Sequence, residues 1–64
     1  MAYNSFELLI SQIEERRTAI LESLGDGSAK DFGSYQMSVG MVRGLLTAQS
    51  LISDLARNIE EADD

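Results

Sequence analysis

Apolar residues recur along the first third of the chain with the spacing of an amphipathic α-helix. After Asn4 they follow steps of three, four or seven residues, at Phe6, Ile10, Ile13, Ile20 and Leu24. Steps of four and three place side chains on one face of an α-helix. The pattern therefore predicts a first helix over residues 4–24. Asn4, followed three residues later by Glu7, is typical of an N-terminal capping box.

Arg17 occupies the one position where this face lacks an apolar residue. An arginine at such a position usually lays its aliphatic stem along the apolar surface and carries its guanidinium to water, and we expect that arrangement here. A buried ion pair or a stack on Tyr35 is the alternative.

Residues 25–28, Gly25-Asp26-Gly27-Ser28, are predicted to form a turn. Glycine after a helix accepts the left-handed conformation, and Asp and Ser favour turns. A second helix is predicted over 29–61, with Ser28 as its N-cap and Asp31 in its first turn. Because a short connection makes neighbouring helices antiparallel, the expected fold is all-α: an antiparallel two-helix hairpin with a longer second helix and no strand.

The second helix carries two apolar faces, which we call the first and second seams. The first seam consists of Phe32, Tyr35, Val39, Val42 and Leu46. The second seam consists of Met41, Leu45, Ala48, Ile52, Leu55, Ile59 and Ala62. At about 100° per residue the two seams lie on different sides of the helix.

The first helix is too short to cover both seams. Folding back from the turn, it should bury its apolar face against the first seam, with Phe6 near Leu46 to Ser50. Ile52, Leu55 and Ile59 would then lie beyond its reach, and an exposed apolar strip of that length favours a partner chain. The hairpin is therefore expected to pack into an oligomer or onto a larger partner.

Small residues recur every four positions beside the second seam, at Gly40, Gly44 and Ala48. A glycine inside a helix costs about 0.8–1 kcal/mol relative to alanine, which suggests a close approach of another helix. A local hinge or simple tolerance is the alternative. The predicted protein-interaction residues are Met41, Leu45, Ala48, Ile52, Leu55, Ile59, Gly40 and Gly44.

The net charge of −6 is concentrated at the C-terminal end, where residues 51–64 hold five acids and Arg57 alone as a base. Neither nucleic acid nor an anionic membrane suits such a chain, because both bind clustered Lys and Arg. No apolar run approaches the ~20 residues of a membrane span, so a soluble, intracellular protein is expected. The acidic tail, residues 60–64, is interpreted as a solubilising end or, alternatively, as a tag for a basic surface on a partner.

The residue inventory disfavours catalysis. The chain has no cysteine and no histidine, which excludes thiolate metal sites and histidine-based proton transfer. Glu14 and Glu15 are adjacent and point to different sides of a helix, so they do not form a paired carboxylate site. No enzyme activity, cofactor, metal or small-molecule substrate is predicted.

Several segments of the second helix match a known kind of protein. They are Lys30 to Tyr35, Val39 to Leu45, Ala48, Ile52 to Leu55 and Glu60 to Asp63, and the most specific is the aromatic at 35 followed by Val-Gly-x-Val-Arg-Gly-Leu. In these segments the chain resembles small all-helical virion and assembly proteins of tailed bacteriophages. The resemblance implies a component of the capsid or head-neck region, assembled in the bacterial host cytoplasm, and it supplies no catalytic residues.

Two classes of function remain. The first is a structural protein that joins copies of itself, or a larger phage structural protein, through the second seam. The second is a small phage-encoded regulator or adaptor that binds a host or phage protein. A regulator that mimics nucleic-acid charge should spread its acids along a face, whereas four of the eleven acids here fall in the last five residues.

Overall fold

The computed structural model describes residues 5–62, with side chains through residue 59, and this part of the chain consists of two α-helices and one linker. Helix α1 spans Ser5–Gly25 and helix α2 spans Phe32–Ala62. The two helices pack against each other, and residues 5–62 contain no strand, which confirms an all-helical hairpin. Relative to the predicted bounds, α2 begins three residues later. Asn4 and residues 63–64 lie outside the described residues, so the capping box with Glu7 and the end of the acidic tail stay predictions.

The end of α1 is fixed by a set of hydrogen bonds around Gly27. Gly27 has φ +81°, and its backbone N–H donates to the carbonyl of Leu24 at 3.1 Å. The N–H of Ser28 donates to the carbonyl of Ser23 at 3.2 Å, and the Ser28 hydroxyl donates to the same carbonyl at 2.8 Å. This pair of backbone bonds is the Schellman motif, which requires a left-handed residue at the position of Gly27. Gly27 of the predicted turn therefore stops α1, whereas Gly25, which was expected to lie in the turn, is the last residue of the helix.

The N-cap of α2 is Asp31, and the prediction of Ser28 for this role is wrong. The backbone N–H of Ser34 donates to Oδ1 of Asp31 at 2.7 Å, which is the bond that an N-cap side chain makes to the third residue of a helix. Ser28 is already engaged in the α1 stop, so it is not free to cap a second helix. Residues 26–31 form the linker.

The face of α1 predicted to be apolar is the face that is covered. Phe6, Ile10, Arg17, Ile20 and Leu24 are all partly covered, and Ile13, 8% exposed, is the one buried residue among those described. Since α2 is the only other helix in the structure, this face is the one that meets it.

The corresponding side of α2 differs from the prediction. Most of its partly covered residues recur in steps of four and three, and we call this set the inner face: Ser38, Val42, Leu45, Gln49, Ile52 and Ala56. The first seam was expected here, and its Val39 and Val42 are partly covered. Its other members, Phe32, Tyr35 and Leu46, are exposed, at 72%, 48% and 47%. The inner face is rotated towards the second seam, and it includes two polar residues that a search for apolar periodicity does not count.

The two helices are also joined by polar side chains. Nη1 of Arg17 donates to Oε1 of Gln49 at 2.6 Å, and Nε2 of Gln49 donates to Oε1 of Glu14 at 3.0 Å. Arg17 therefore forms neither the predicted solvent-directed arrangement nor a stack on Tyr35. Gln49 falls in the stretch that was expected to lie near Phe6. The register is thus shifted, and Ile52, predicted to lie beyond the reach of α1, is partly covered.

The hairpin is thin and elongated. Its Cα atoms extend over 51 × 23 × 11 Å, so the third dimension is about that of a single helix with its side chains. Neither helix of the described region is long and apolar enough to cross a membrane.

Candidate interaction surface

A row of apolar and small residues, exposed except at the partly covered Ala48, runs along α2 beside the inner face. Its members follow steps of four, three, four, three, four and four residues. We call this row the outer strip: Met37, Met41, Gly44, Ala48, Leu51, Leu55 and Ile59. At about 100° per residue the outer strip is roughly 80° wide and lies roughly 90° from the inner face. α2 therefore has two apolar surfaces, of which the inner face is already partly covered within the chain.

The large side chains of the outer strip are open to solvent. Exposure ranges from 45% at Ile59 to 66% at Met37, and Leu51 is 64% exposed. Isolated exposed apolar residues are ordinary, but a continuous row over several helical turns marks an interaction surface. The length of the row, from residue 37 to residue 59, is roughly 33 Å at 1.5 Å per residue.

The outer strip contains no charged residue. Within residues 32–59 the charged side chains of α2 are Arg43, Asp54 and Arg57. All three lie more than about 100° from the centre of the strip at 100° per residue. Asp54 and Arg57 form an exposed ion pair at 3.4 Å on that far side. On a chain of net charge −6, α2 therefore keeps one full side free of charge.

A groove opens where the outer strip meets α1. It has a volume of about 510 Å³ and is lined by Arg16, Ala19 and Ile20 from α1 and by Met41, Gly44 and Leu45 from α2. Arg16 is the only charged residue of the lining. The groove extends the outer strip sideways onto α1, so that both helices contribute to one apolar surface.

The helical glycines have no packing partner within the chain. A Cβ atom built on Gly40 or on Gly44 would meet nothing within 4 Å. Close approach of α1 therefore does not explain why these two positions lack side chains. Close packing of another helix at these two glycines stays a prediction.

The structure divides the predicted interaction residues between two surfaces. Met41, Gly44, Ala48, Leu55 and Ile59 come together on the outer strip, with Gly40 exposed beside it. Leu45 and Ile52 belong to the inner face and are partly covered within the chain.

Sequence reasoning missed Met37 and Leu51. Their steps of four and three are as regular as those of the second seam. The signal is visible only when Gly44 is counted as a member of the row, because the glycine interrupts the run of apolar side chains.

Two other surface features are weaker candidates for a functional site. A shallow depression on α1 is lined mainly by Ser11, Glu14, Glu15 and Glu22, but the described residues contain no group of acids placed to hold a metal ion. Phe32 and Tyr35 stack with ring centroids 6.3 Å apart on the side of α2 away from the outer strip.

No family model, curated protein or solved structure matches the chain.

Proposed function

We propose that this chain is a non-enzymatic assembly protein that binds another helical surface through the outer strip. The observation that carries the proposal is the uncharged apolar side of α2, left exposed by a hairpin that has already covered its inner face. Burying a fully exposed large apolar side chain contributes about 1.5–3 kcal/mol, so covering the five half-exposed side chains of the strip favours association.

We further propose that the two helices of the hairpin run antiparallel. Two sets of contacts support this direction. Ser23 and Ser28 meet beside the linker, where their hydroxyl oxygens are 2.6 Å apart. Farther from the linker along both helices, Arg17 and Glu14 meet Gln49. Because the outer strip lies roughly 90° from the inner face, it is accessible on a broad side of such a hairpin.

The resemblance to small virion and assembly proteins of tailed bacteriophages supports a more specific role. On this proposal the chain is a virion component of the capsid or head-neck region, assembled in the host cytoplasm, and it joins copies of itself or binds a larger phage structural protein. The missing histidine and cysteine fit a role that needs no chemistry. A small regulator or adaptor, which would also bind through an apolar helix face, is the competing function.

Copy number in purified particles separates these two functions. The wild-type chain and two variants would be produced during infection by the phage that encodes it, and its amount in purified virions measured by quantitative mass spectrometry. A structural component is present in many copies per particle. A chain that is abundant in the cell and absent from particles would overturn the structural role in favour of regulation.

The two variants test whether the outer strip is the binding surface. Leu55→Asp places a carboxylate on the strip, and Leu46→Asp places one on the opposite side of α2. The two leucines are matched in exposure, at 50% and 47%. We expect Leu55→Asp to be lost from particles and Leu46→Asp to be retained, because an unpaired carboxylate is costly only where it becomes buried. Equal behaviour of the two variants would contradict the assignment of the surface.

A further inference from the structure

We propose that the occupant of the outer strip is the outer strip of a second copy, packed antiparallel about a two-fold axis that passes near Ala48. This inference rests on the proposed function, in that the same surface is the binding site, and it specifies the partner and its direction. Most soluble homo-oligomers are closed and symmetric, and a two-fold interface places the same patch on both sides.

The strip is complementary to itself in size. Gly44 on one side of Ala48 is small, whereas Leu51 on the other side is large, and the two ends of the strip have residues of similar size. A two-fold axis at Ala48 brings Gly44 of one copy against Leu51 of the other. The layers so formed pair Met37 with Ile59, Met41 with Leu55, Gly44 with Leu51 and Ala48 with Ala48.

The layer of Gly44 and Leu51 has the shape of a knob and a hole. A Cβ at Gly44 would meet nothing within 4 Å, and the groove of about 510 Å³ opens at this residue. Leu51 is 64% exposed within its own chain. Seated over Gly44 of the second copy, the Leu51 side chain fills the hole in the manner of interdigitated helix packing.

A parallel arrangement lacks this fit. It would place Gly44 against Gly44 and Leu51 against Leu51, so that gaps and crowded layers follow one another along the interface. Both gaps and overpacking cost stability in a close-packed interface.

Charge also favours a second copy on this side of the helix. Two chains of net charge −6 repel each other, and the outer strip is a side of α2 on which residues 32–59 place no acid. Contact through the strip therefore brings no carboxylates of this segment together, whereas like charges placed opposite each other would disfavour association.

The available surface is large enough for a stable contact. A standard interface buries about 800 Å² on each partner. The broad side of the hairpin measures 51 × 23 Å between Cα atoms, and five large apolar side chains of the strip are at least 45% exposed.

Disulfide cross-linking tests the axis directly, because the chain has no cysteine and single-cysteine variants are unambiguous. Residues bridged by a disulfide have Cα atoms about 4.4–6.8 Å apart. With the axis near Ala48, the full-length Ala48→Cys variant should oxidise to a covalent dimer. Gly44→Cys alone and Leu51→Cys alone should stay monomeric on denaturing gels, whereas an equimolar mixture of the two should cross-link. Self-cross-linking of all three variants would show a parallel pair and overturn the proposal.

Sedimentation of the purified full chain provides the second test. We expect a concentration-dependent dimer for the wild type and for Leu46→Asp, and at least a tenfold weaker association for Leu55→Asp. If the wild type stays monomeric at millimolar concentration while Leu55→Asp is still lost from particles, the strip binds a different protein. That result overturns the second copy and leaves the proposed function standing. If Leu55→Asp matches Leu46→Asp in both assays, the two proposals fail together.

Discussion

Arg17 and Gln49, which stand 32 positions apart in the sequence, meet across the helix pair, with Nη1 of Arg17 donating to Oε1 of Gln49 at 2.6 Å. Each residue is a polar member of a largely apolar face. The Gln49 amide donates in turn to Glu14 at 3.0 Å, so a neutral side chain links a cation on α1 to an anion on the same helix. A shift of α2 by one heptad would bring Val42 or Ala56 to the position of Gln49 and leave these polar groups without partners. The network therefore selects one register of the hairpin.

We predict that Arg17 and Gln49 are energetically coupled. Arg17→Leu or Gln49→Leu alone should lower the free energy of unfolding by about 1–3 kcal/mol, because each leaves a part-buried polar group without its hydrogen bond. The double variant should cost much less than the sum, since it makes both faces apolar. Urea denaturation of the four proteins measures the coupling. The neighbouring change Arg16→Leu, at an exposed position, serves as the control for lost charge, and strictly additive effects at 17 and 49 would contradict the prediction.

Ile13 is the position at which truncation should be most damaging. It is 8% exposed, whereas Leu9 on the same helix is 43% exposed. Ile13→Ala should cost roughly 2–5 kcal/mol through lost burial and the cavity left behind, enough to unfold a hairpin of this size. Leu9→Ala should have a much smaller effect on the far-UV circular dichroism melting curve. A loss below 1 kcal/mol at Ile13 would show that α1 does not pack through this face.

Gly27 and Gly25 should respond in opposite ways to alanine. Gly27 has φ +81°, where an L-residue carries a cost of roughly 1–2 kcal/mol, so Gly27→Ala should lower the melting temperature. Gly25 lies in α1, and a Cβ there would meet nothing within 4 Å. Gly25→Ala should therefore be neutral or raise stability by up to about 1 kcal/mol. Similar effects at both positions would argue against the left-handed stop of α1.

Asp31 should make the stability of the hairpin depend on pH in the acid range. The backbone N–H of Ser34, followed by the Ser34 side chain, stabilises the carboxylate and lowers the pKa of Asp31 below its ordinary value of 3.8. The unfolded chain thus binds a proton more readily than the folded one. The contribution of this carboxylate is present above the unfolded-state pKa and is lost as the pH falls through the lower, folded-state pKa.

Comparing variants isolates this contribution from that of the other acids. Asp31→Asn keeps a capping oxygen and should show a flatter fall in melting temperature between neutral and acid pH than the wild type. Asp31→Ala removes the cap and should be less stable than Asp31→Asn at neutral pH. Asp26→Asn, which removes a carboxylate from the linker and leaves the bond between Asp31 and Ser34 in place, is the control for lost charge. A wild-type slope in Asp31→Asn would assign the pH dependence elsewhere.

The sequence predicts the covered face of α1 well and the covered face of α2 poorly. Because α1 has a single apolar face, the spacing of its apolar residues predicts which residues are covered together with Ile13. The structure confirms that these residues are covered. On α2 apolar residues occupy most of the circumference, and periodicity alone does not say which part faces α1. The inner face also includes Ser38 and Gln49, and Gln49 is placed there by a hydrogen bond that apolar spacing does not reveal.

The end of α1 and the start of α2 also differ in how well the local sequence predicts them. The stop at Gly27 follows from the backbone freedom of one residue and was predictable. The start of α2 was misplaced because Ser28 and Asp31 are both good capping residues. Ser28 does not cap α2 because the carbonyl and the hydroxyl of Ser23 already bind its side chain. These bonds form at the C-terminal end of α1, so the sequence around the start of α2 does not reveal them.

The thin interior of the hairpin has a consequence for protein turnover. With Ile13 as the one buried residue among those described, an isolated copy has little stability to lose, as is usual for a chain of this length. A binder of the folded form adds about 2.7 kcal/mol when its concentration is a hundredfold above the dissociation constant. Bound copies therefore open far less often than unbound ones, and proteolysis follows the open population. On the proposed function, copies without a partner are therefore expected to be degraded first, which would match the number of copies to the number of partners without a separate control.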